Sequence, residues 1–269
     1  GFDGMVVGLG AFGVVSRITL DIQPSFQMRQ DAFIDLPWDT LLSRFDAVFS
    51  AAYSVNALTR WGDDAVNRLW LKTRLTGGVP ARDVTAAHLG AVAAPPDKIS
   101  SSADDPAPRL NPFGVPGPWS ERLPHFRVDA QPGVVEQIQS EYMVPRTRIV
   151  TALTLLRGMA ADIDPFLHAT EIRTMAADDL WLSPSYGADT VAIHFTWQRK
   201  PAEVDAITRE IEAVLLPLGG RPHWGKRLHA DASRLAPLYP RMAAFRALAS
   251  HYDPAGKFRN AYLERHVFG

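Results

Sequence analysis

The 269 residues suffice for one large domain or two modest ones, and a hydrophobic content of 46% is typical of globular proteins. A formal net charge of −1 excludes a global field that attracts nucleic acid or an anionic membrane, and no apolar run approaches the roughly 20 residues of a membrane span. The absence of cysteine excludes disulfides, thiolate metal sites and a cysteine nucleophile, and fits the cytoplasmic location that we expect.

The N-terminal stretch combines β-branched residues with glycines. Residues 6–7 and 14–22 have the composition of strands. Between them, Gly8, Gly10 and Gly13 match the spacing of a dinucleotide-binding G-x-G-x-x-G loop. A strand pattern follows instead of a helix, which argues against that motif. The glycines therefore predict either a tight turn or a loop that lies along a cofactor.

The next part of the chain mixes helix and strand patterns. Residues 36–50 have helical character, and residues 51–61 and 68–74 alternate like strands, which indicates an α+β fold. From residue 76 to about residue 122 the chain is rich in proline and has little periodicity, as in functional or mobile loops. Its end, residues 114–126, contains aromatic and charged residues and is expected to be ordered against a sheet.

Strands and helices also alternate in the C-terminal half. The predicted elements are a strand over 133–144, helical segments over 146–157 and 161–168, strands over 170–175 and 190–197, a helix over 201–216 ended by Gly219-Gly220, and a helix over 235–249.

A polar cluster is predicted on the strands over 170–175 and 190–197. Side chains two apart on a strand share a face, so Glu171 lies beside Arg173, and His194 beside Thr196. If the two polar faces align, a carboxylate, a guanidinium, an imidazole and a hydroxyl converge. The alternative is an ordinary cross-strand ion pair on a solvated sheet. The opposite faces carry apolar residues suited to packing against helices, namely Ile172, Ile193, Phe195 and Trp197.

Six of the other histidines lack the spacing of metal ligands, and no metal site is predicted. We interpret them as capping or surface residues, with His223 the most open to another role: His125, His168, His223, His229, His251 and His266.

Several stretches together resemble the flavin-dependent oxidases of the vanillyl-alcohol-oxidase (VAO) fold, in the branch of alditol (xylitol) oxidases and sugar-1,4-lactone oxidases. The stretches are GLGAFGVVSRITLDIQP (8–24), GPWSERLPHFR (117–127), QSEYMVPR (139–146), EIRTMAADDLWLSPSYG (171–187), IHFTW (193–197), HWGK (223–226) and DPAGKFRN (253–260). HWGK and DPAGKFRN are similar to sugar-lactone oxidases broadly, whereas EIRTMAADDLWLSP and GPWSERLPHF point to the alditol oxidases.

The resemblance implies an α+β fold in which a large antiparallel sheet, covered by helices, forms the substrate-binding (cap) domain. It assigns residues 27–236 to this domain, and residues 1–26 and 237–269 to segments of the FAD-binding domain. The chain begins with Gly1 and no methionine. We therefore expect a C-terminal, substrate-domain portion whose partner is an N-terminal FAD-binding domain or chain.

The resemblance also implies an activity and a set of site residues. The activity is FAD-dependent oxidation of the terminal hydroxyl of alditols such as xylitol and sorbitol, with O2 reduced to H2O2. The implied substrate-binding residues are Gln139, Glu171, Arg173, His194, Thr196 and Lys226. Of these, His194 is expected to act as the base and Lys226 to stabilise alkoxide character. The implied cofactor-binding residues are Gly8, Gly10, Ala11, Gly13, Val14 and Asn260.

Two alternative functions remain open at this point. One is a sugar-1,4-lactone oxidase that acts on gulono- or arabinono-lactone. The other is a flavin-less binding remnant that is inactive by itself, because the chain is expected to lack the FAD-binding part.

Overall fold

The computed structural model describes residues 1–76, 89–95, 113–123 and 137–269, together with the backbone of residues 79–80. The chain divides into two compact units. The first unit comprises residues 1–21, 138–158 and 174–269, and the second comprises residues 22–137 and 159–173.

The helices of the described residues are, in chain order, α1 (Phe2–Val6), α2 (Trp38–Ser43), α3 (Phe45–Phe49), α4 (Trp119–Arg122), α5 (Ile149–Gly158), α6 (Ala160–Ile163), α7 (Pro201–Leu215), α8 (Ala232–Leu235), α9 (Met242–Tyr252) and α10 (Ala261–Leu263). Short 3-10 segments cover Arg146–Arg148, Asp164–Phe166, Leu216–Leu218 and Ala236–Leu238, and a π-helical turn covers Glu264–Phe268.

The strands are β1 (Gln27–Ile34), β2 (Leu36–Pro37), β3 (Ser54–Thr59), β4 (Ala65–Val66), β5 (Arg68–Thr76), β6 (Val79–Pro80), β7 (Val92–Ala93), β8 (Gly117–Pro118), β9 (Ile138–Pro145), β10 (Leu167–Met175), β11 (Thr190–Trp197) and β12 (Arg221–Pro222).

The second unit contains a large antiparallel sheet in the order β10-β3-β5-β1-β7, with β6 paired to β5 and β8 paired to β1. Helices α2 and α3 bury their apolar residues in the same unit. The predicted α+β class, with a large antiparallel sheet and covering helices, is confirmed. The expectation that the end of the proline-rich stretch is ordered also holds for β8 and α4, whereas residues 124–126 lie outside the described residues.

Two tryptophans anchor the core of the second unit. Trp38 and Trp61 are fully buried and stack with ring centroids 5.8 Å apart. The Trp61 indole N–H donates to the Thr170 hydroxyl at 2.9 Å, so the buried ring leaves no polar atom unsatisfied. The Asp164 carboxylate accepts from the backbone N–H groups of Trp61 and Gly62 at 3.0 and 2.8 Å, which fixes the turn after β3.

The first unit contains an antiparallel sheet in the order β12-β9-β11, against which α5 and α7 pack. Helix α7 buries residues at helical spacing, including Val204, Ile207 and Ile211, and so confirms the predicted helix. After the 3-10 segment, Gly219 adopts a left-handed φ of +83°, the conformation that a glycine at a helix C-terminus takes readily.

A buried carboxylate ties α7 to the chain that precedes α8. Glu212 accepts hydrogen bonds from the backbone N–H groups of His229 and Ala230 at 2.7 and 2.8 Å. The Thr208 hydroxyl lies 2.8 Å from Nε2 of His229. Burial raises the pKa of Glu212, and burial lowers the pKa of His229 to about 4. The fold therefore disfavours a protonated His229.

Three sequence predictions of secondary structure are wrong in detail. Helix α1 occupies residues 2–6, and residues 14–22 form no strand, because a strand needs a partner that the described residues do not supply. The helix predicted over 235–249 is interrupted, because Pro237 and Pro240 lack the N–H that a helix interior requires. The last residues of the segment predicted as helical over 161–168 begin β10 instead.

Other predicted elements are found with shifted ends. The helix over 36–50 is split into α2 and α3 at Arg44. The strand predicted over 133–144 is β9, and residues 133–136 lie outside the described residues. No helix in the described part of the chain is both long and apolar enough to cross a bilayer.

The low pKa of His229 predicts an acid-sensitive fold. Its folded-state pKa of about 4 lies below the unfolded value of about 6.5, so its contribution to stability is fully present above pH 6.5 and is lost as the pH falls toward 4. The melting temperature of the chain should decrease over this range. His229→Gln should reduce the decrease, with part remaining because burial also lowers the pKa of His266.

Melting curves collected between pH 7 and pH 4 would measure this dependence. His251→Gln is the matched control, because His251 is exposed on α9. An unchanged pH dependence of the melting temperature in His229→Gln would show that His229 does not cause the acid sensitivity.

Candidate functional site

The register of β9 and β11 brings three of the predicted site residues onto one face of the first unit. His194 lies opposite Glu141, and Thr196 lies opposite Gln139. Directly opposed residues of an antiparallel pair share a face, so an imidazole, a hydroxyl, an amide and a carboxylate are neighbours there. His194 and Glu141 are both buried. We call Gln139, Glu141, His194 and Thr196 the polar face of the first unit.

The opposite face of the same strands is apolar and buried, as predicted for Ile193, Phe195 and Trp197. The rings of Phe195 and Trp197 stack with centroids 5.1 Å apart and nearly parallel planes. The Trp197 indole N–H donates to the Ser140 hydroxyl at 2.9 Å across the strand pair. This packing holds the two strands in the register that creates the polar face.

Lys226 reaches the polar face from the turn that follows β12. The backbone N–H of Arg227 donates to the Gln139 carbonyl, and that of His223 donates to the Glu141 carbonyl, both at 2.9 Å. The Lys226 ammonium donates to the Glu141 carboxylate. The structure therefore joins Lys226 to the polar face through an acidic residue that was not among the predicted site residues. The sequence did contain an indication of Glu141, because it lies two residues from Gln139 and therefore shares its face of the strand.

Several residues of the HWGK stretch make contacts that stabilise the local fold. The Gly225 backbone N–H donates to Nδ1 of His223 at 3.0 Å. The Trp224 indole N–H donates to the Leu182 carbonyl at 2.8 Å, and its ring lies 5.0 Å from that of Tyr239. These contacts fix the turn that presents Lys226. Among the described residues, no group of three or more acidic, histidine or cysteine side chains is arranged to hold a metal ion.

Glu171 and Arg173 are brought together on β10 in the second unit. Nη1 of Arg173 lies 3.2 Å from Oε2 of Glu171, and the amide Nδ2 of Asn56 donates to the same carboxylate oxygen at 3.3 Å. The arginine side chain is 36% exposed, so solvent screens the ion pair. The pair therefore orients the Glu171 carboxylate more than it stabilises the fold. Asn56 is a second neighbour that sequence reasoning missed, because its strand lies more than a hundred residues away in the chain.

The two stretches predicted to contact a cofactor meet in the first unit. A Cβ built on Gly13 would lie 3.6 Å from the ring of Phe258 in the DPAGKFRN stretch. Gly10 and Gly13 have φ values of +77° and +115°, which favour glycine. Ala11 is buried among core residues, whereas Val14 is 86% exposed. Gly10 and Val14 are exposed at this loop, which leaves space and apolar surface for the flat, largely apolar ring system of a flavin.

Asn260 has a clear structural role. Its Oδ1 accepts from the Leu263 backbone N–H at 2.9 Å and so caps α10. The neighbouring Asp253 accepts from the N–H groups of Lys257 and Phe258 at 2.9 and 2.8 Å, and the Phe258 bond in particular lowers its pKa. Much of the DPAGKFRN stretch is therefore needed to fold the C-terminal turns.

Removal of either partner of the Lys226–Glu141 pair should destabilise the chain. Lys226→Met and Glu141→Gln should each cost about 2–4 kcal/mol, because the remaining charge stays largely buried. The double variant should cost less than the sum, since no charge is then left without its partner. Urea unfolding would measure the four free energies.

The control for this cycle is Arg227→Met. Its ion pair with Asp205 has an N–O distance of 2.9 Å, but both side chains are 38% exposed, so a loss below about 1 kcal/mol is expected. Strict additivity at Lys226 and Glu141 would show that the two side chains do not interact.

Substitution of Asn260 should separate its capping role from a cofactor role. Asn260→Ala should lower the unfolding free energy by about 1 kcal/mol, whereas Asn260→Asp keeps an acceptor for the Leu263 N–H and should leave stability nearly unchanged. Flavin content of the flavin-loaded protein is the second measurement. A lower content in Asn260→Asp supports a cofactor contact by the amide, and an unchanged content argues for capping alone.

Solved structures identify the fold. A VAO-type flavoprotein from Myceliophthora thermophila C1 matches 92% of this chain and 49% of its own chain, with a TM-score of 0.58 at 16% identity. CrmK, a flavoenzyme of shunt product recycling in caerulomycin biosynthesis, matches 94% of this chain and 61% of its own, with a TM-score of 0.56 at 12% identity. The chain therefore shares the fold of VAO-type flavoproteins, as predicted.

Sequence relatives identify the family. An alditol oxidase of Streptomyces sp. is 41% identical over 266 residues, which are 97% of this chain and 61% of that protein. An L-gulono-1,4-lactone dehydrogenase of Mycobacterium tuberculosis is 29% identical over 280 residues, covering 96% of this chain and 62% of that protein. The chain thus spans about three fifths of the length of these relatives. The D-arabinono-1,4-lactone oxidase family model matches residues 125–266, more than half of the chain, and the chain belongs to this family.

Proposed function

We propose that this chain supplies the substrate site of an FAD-dependent oxidase that converts the terminal hydroxyl of alditols, such as xylitol and sorbitol, to the aldehyde of the aldose. Molecular oxygen is the electron acceptor and hydrogen peroxide the second product. The observation that carries the proposal is the 41% identity to an alditol oxidase over 97% of the chain. The polar groups of the two units described above give it a chemical basis.

The first unit holds the groups suited to proton transfer. His194 is the proposed base that takes the proton from the reacting hydroxyl, because an imidazole titrates near neutral pH. The Lys226 ammonium would stabilise the negative charge that develops on that oxygen. Its contact with Glu141 holds the flexible lysine side chain in one position before the substrate arrives. Gln139 and Thr196 can each donate and accept hydrogen bonds to the remaining hydroxyls.

The second unit holds the pair Glu171 and Arg173, which we propose also binds substrate hydroxyls. A carboxylate accepts from a hydroxyl and a guanidinium donates to one, so together they suit an uncharged polyol. When bound, the flavin supplies the two-electron oxidation of the carbinol carbon, and oxygen then takes up the electrons.

The cofactor contacts are proposed for Gly8, Gly10, Ala11, Gly13, Val14 and Asn260. Residues 1–26 and 237–269 are proposed to belong to the FAD-binding part, which would be the partner of the substrate-binding residues 27–236. Support comes from the meeting of Gly13 and Phe258 and from the exposure of large apolar residues after Gly13. The exposed residues include Val14, Val15, Ile18, Leu20 and Ile22.

A sugar-1,4-lactone oxidase is the second candidate, favoured by the family model and by the L-gulono-1,4-lactone dehydrogenase relative. A lactone presents a ring hydroxyl and a carbonyl, whereas an alditol presents an open chain of hydroxyls. The ratio of kcat/KM for xylitol to kcat/KM for L-gulono-1,4-lactone separates the two, and a ratio below one would replace the first proposal by the second.

Substitution of the base tests the proposal directly. The protein that carries this chain with its flavin should release peroxide on xylitol, and His194→Gln should lower kcat by roughly 10²- to 10⁴-fold while the flavin absorbance is retained. The matched control is His251→Gln, because His251 is an exposed histidine of the same unit. Full turnover by His194→Gln would remove it from the mechanism, and a colourless preparation inactive on all these substrates would favour a flavin-less binding remnant.

A further inference from the structure

Glu171 and Arg173 belong to a larger polar cluster within the second unit. Arg173 lies opposite Asn56 on β3, and Ser54, two residues before Asn56, lies opposite Lys72 on β5. Because opposed residues and residues two apart share a face, Asn56 and Lys72 lie on the same face as Glu171 and Arg173. Neither residue belongs to the set that the family resemblance assigns to the substrate.

The orientation of the Asn56 amide is set by its neighbour. Its Nδ2 donates to Oε2 of Glu171 at 3.3 Å, and the opposite orientation would bring a carbonyl oxygen against a carboxylate. The other amide atom, Oδ1, is buried in a residue that is only 5% exposed, and no hydrogen-bond donor among the described residues reaches it. A buried acceptor without a donor is costly, and it needs a donor from a ligand or a water.

Lys72 supplies the complementary group. The Lys72 side chain is half-buried, and its ammonium lies within electrostatic range of Glu171 and Arg173. Burial lowers the pKa of Lys72, and the nearby charge of Glu171 partly opposes this effect. The cluster thus places a half-buried ammonium and a buried acceptor that lacks a donor on neighbouring strands of one sheet.

The chemistry of these two groups selects a hydroxyl. A hydroxyl can accept from the Lys72 ammonium and donate to Oδ1 of Asn56 at the same time. A carboxylate or a phosphate could satisfy the ammonium, but it has no proton for Oδ1 and would repel the adjacent Glu171 carboxylate. The indole N–H of Trp70, opposite Asn56 in the register, is likewise buried without an acceptor and adds a second donor.

We propose that Asn56 and Lys72 bind a hydroxyl of the substrate other than the one that is oxidised, and so select for longer alditol chains. This inference rests on the proposed alditol oxidation. It adds two specificity-determining residues to Glu171 and Arg173. It also gives Asn56 two contacts in one orientation, one to Glu171 and one to the substrate.

The experiment compares a long and a short substrate in the flavin-loaded protein. Asn56→Leu and Lys72→Met should each lower kcat/KM for xylitol by about 10-fold or more, mostly through KM, because each removes a proposed contact to a substrate hydroxyl. Both should change kcat/KM for glycerol less than threefold. Lys72→Gln, which restores a donor, should recover part of the loss on xylitol.

A second readout is the rise in melting temperature on addition of xylitol, which should shrink in both variants without any requirement for turnover. The matched control is Arg74→Met. Arg74 is a cation two residues from Lys72 on the same face of β5, but its guanidinium lies over the Phe26 ring at 4.4 Å from the centroid. The Arg74→Met variant should leave the preference for xylitol over glycerol unchanged.

The outcomes separate the two proposals. An equal loss on xylitol and glycerol, or a preference that survives Lys72→Met, would overturn this inference and leave Asn56 as an orienting residue or the site of a bound water. A wild-type protein that oxidises no alditol would overturn the proposed function itself. Flavin content and melting temperature without xylitol identify variants that fail to fold, in which case Asn56→Ser replaces Asn56→Leu.

Discussion

The antiparallel register of β9 and β11 is the constraint on which the polar face of the first unit depends. A slip by one residue would exchange the faces and place His194 and Thr196 where Phe195 and Trp197 now pack. The aromatic stack and the hydrogen bond from Trp197 to Ser140 resist such a slip, because both require the present pairing. The apolar core thus determines the position of the polar chemistry on its other side.

Charged groups in both units are held by neighbours that limit their motion. Lys226 is anchored at its backbone by the turn after β12 and at its ammonium by Glu141, so little rotamer entropy remains to be lost on binding. Glu171 is held by Arg173 and by the amide of Asn56. Such preorganisation suits the proposed binding of an uncharged polyol, since hydroxyls offer only short-range, directional contacts.

The sequence allowed the fold class, five of the longer strands (β3, β5, β9, β10 and β11) and the longest helix to be predicted, because alternation and helical spacing are local signals. The same alternation predicted the pairs Glu171–Arg173 and His194–Thr196. It could not predict the contact from Glu141 to Lys226 or the one from Asn56 to Glu171, because these join residues far apart in the chain and depend on register and turn geometry. The failure at residues 14–22 has another cause, since a strand pattern specifies a strand only when a partner is present.

The exposed stretch of residues 14–22 has a consequence for handling the chain. Val14, Ile18 and Leu20 are exposed, and alternation would put them on one side if the backbone were drawn into a sheet. An unpaired, apolar edge of this kind is a template for association between identical molecules. Under the proposed function, an FAD-binding part that covers residues 14–22 would therefore also protect this apolar stretch from association.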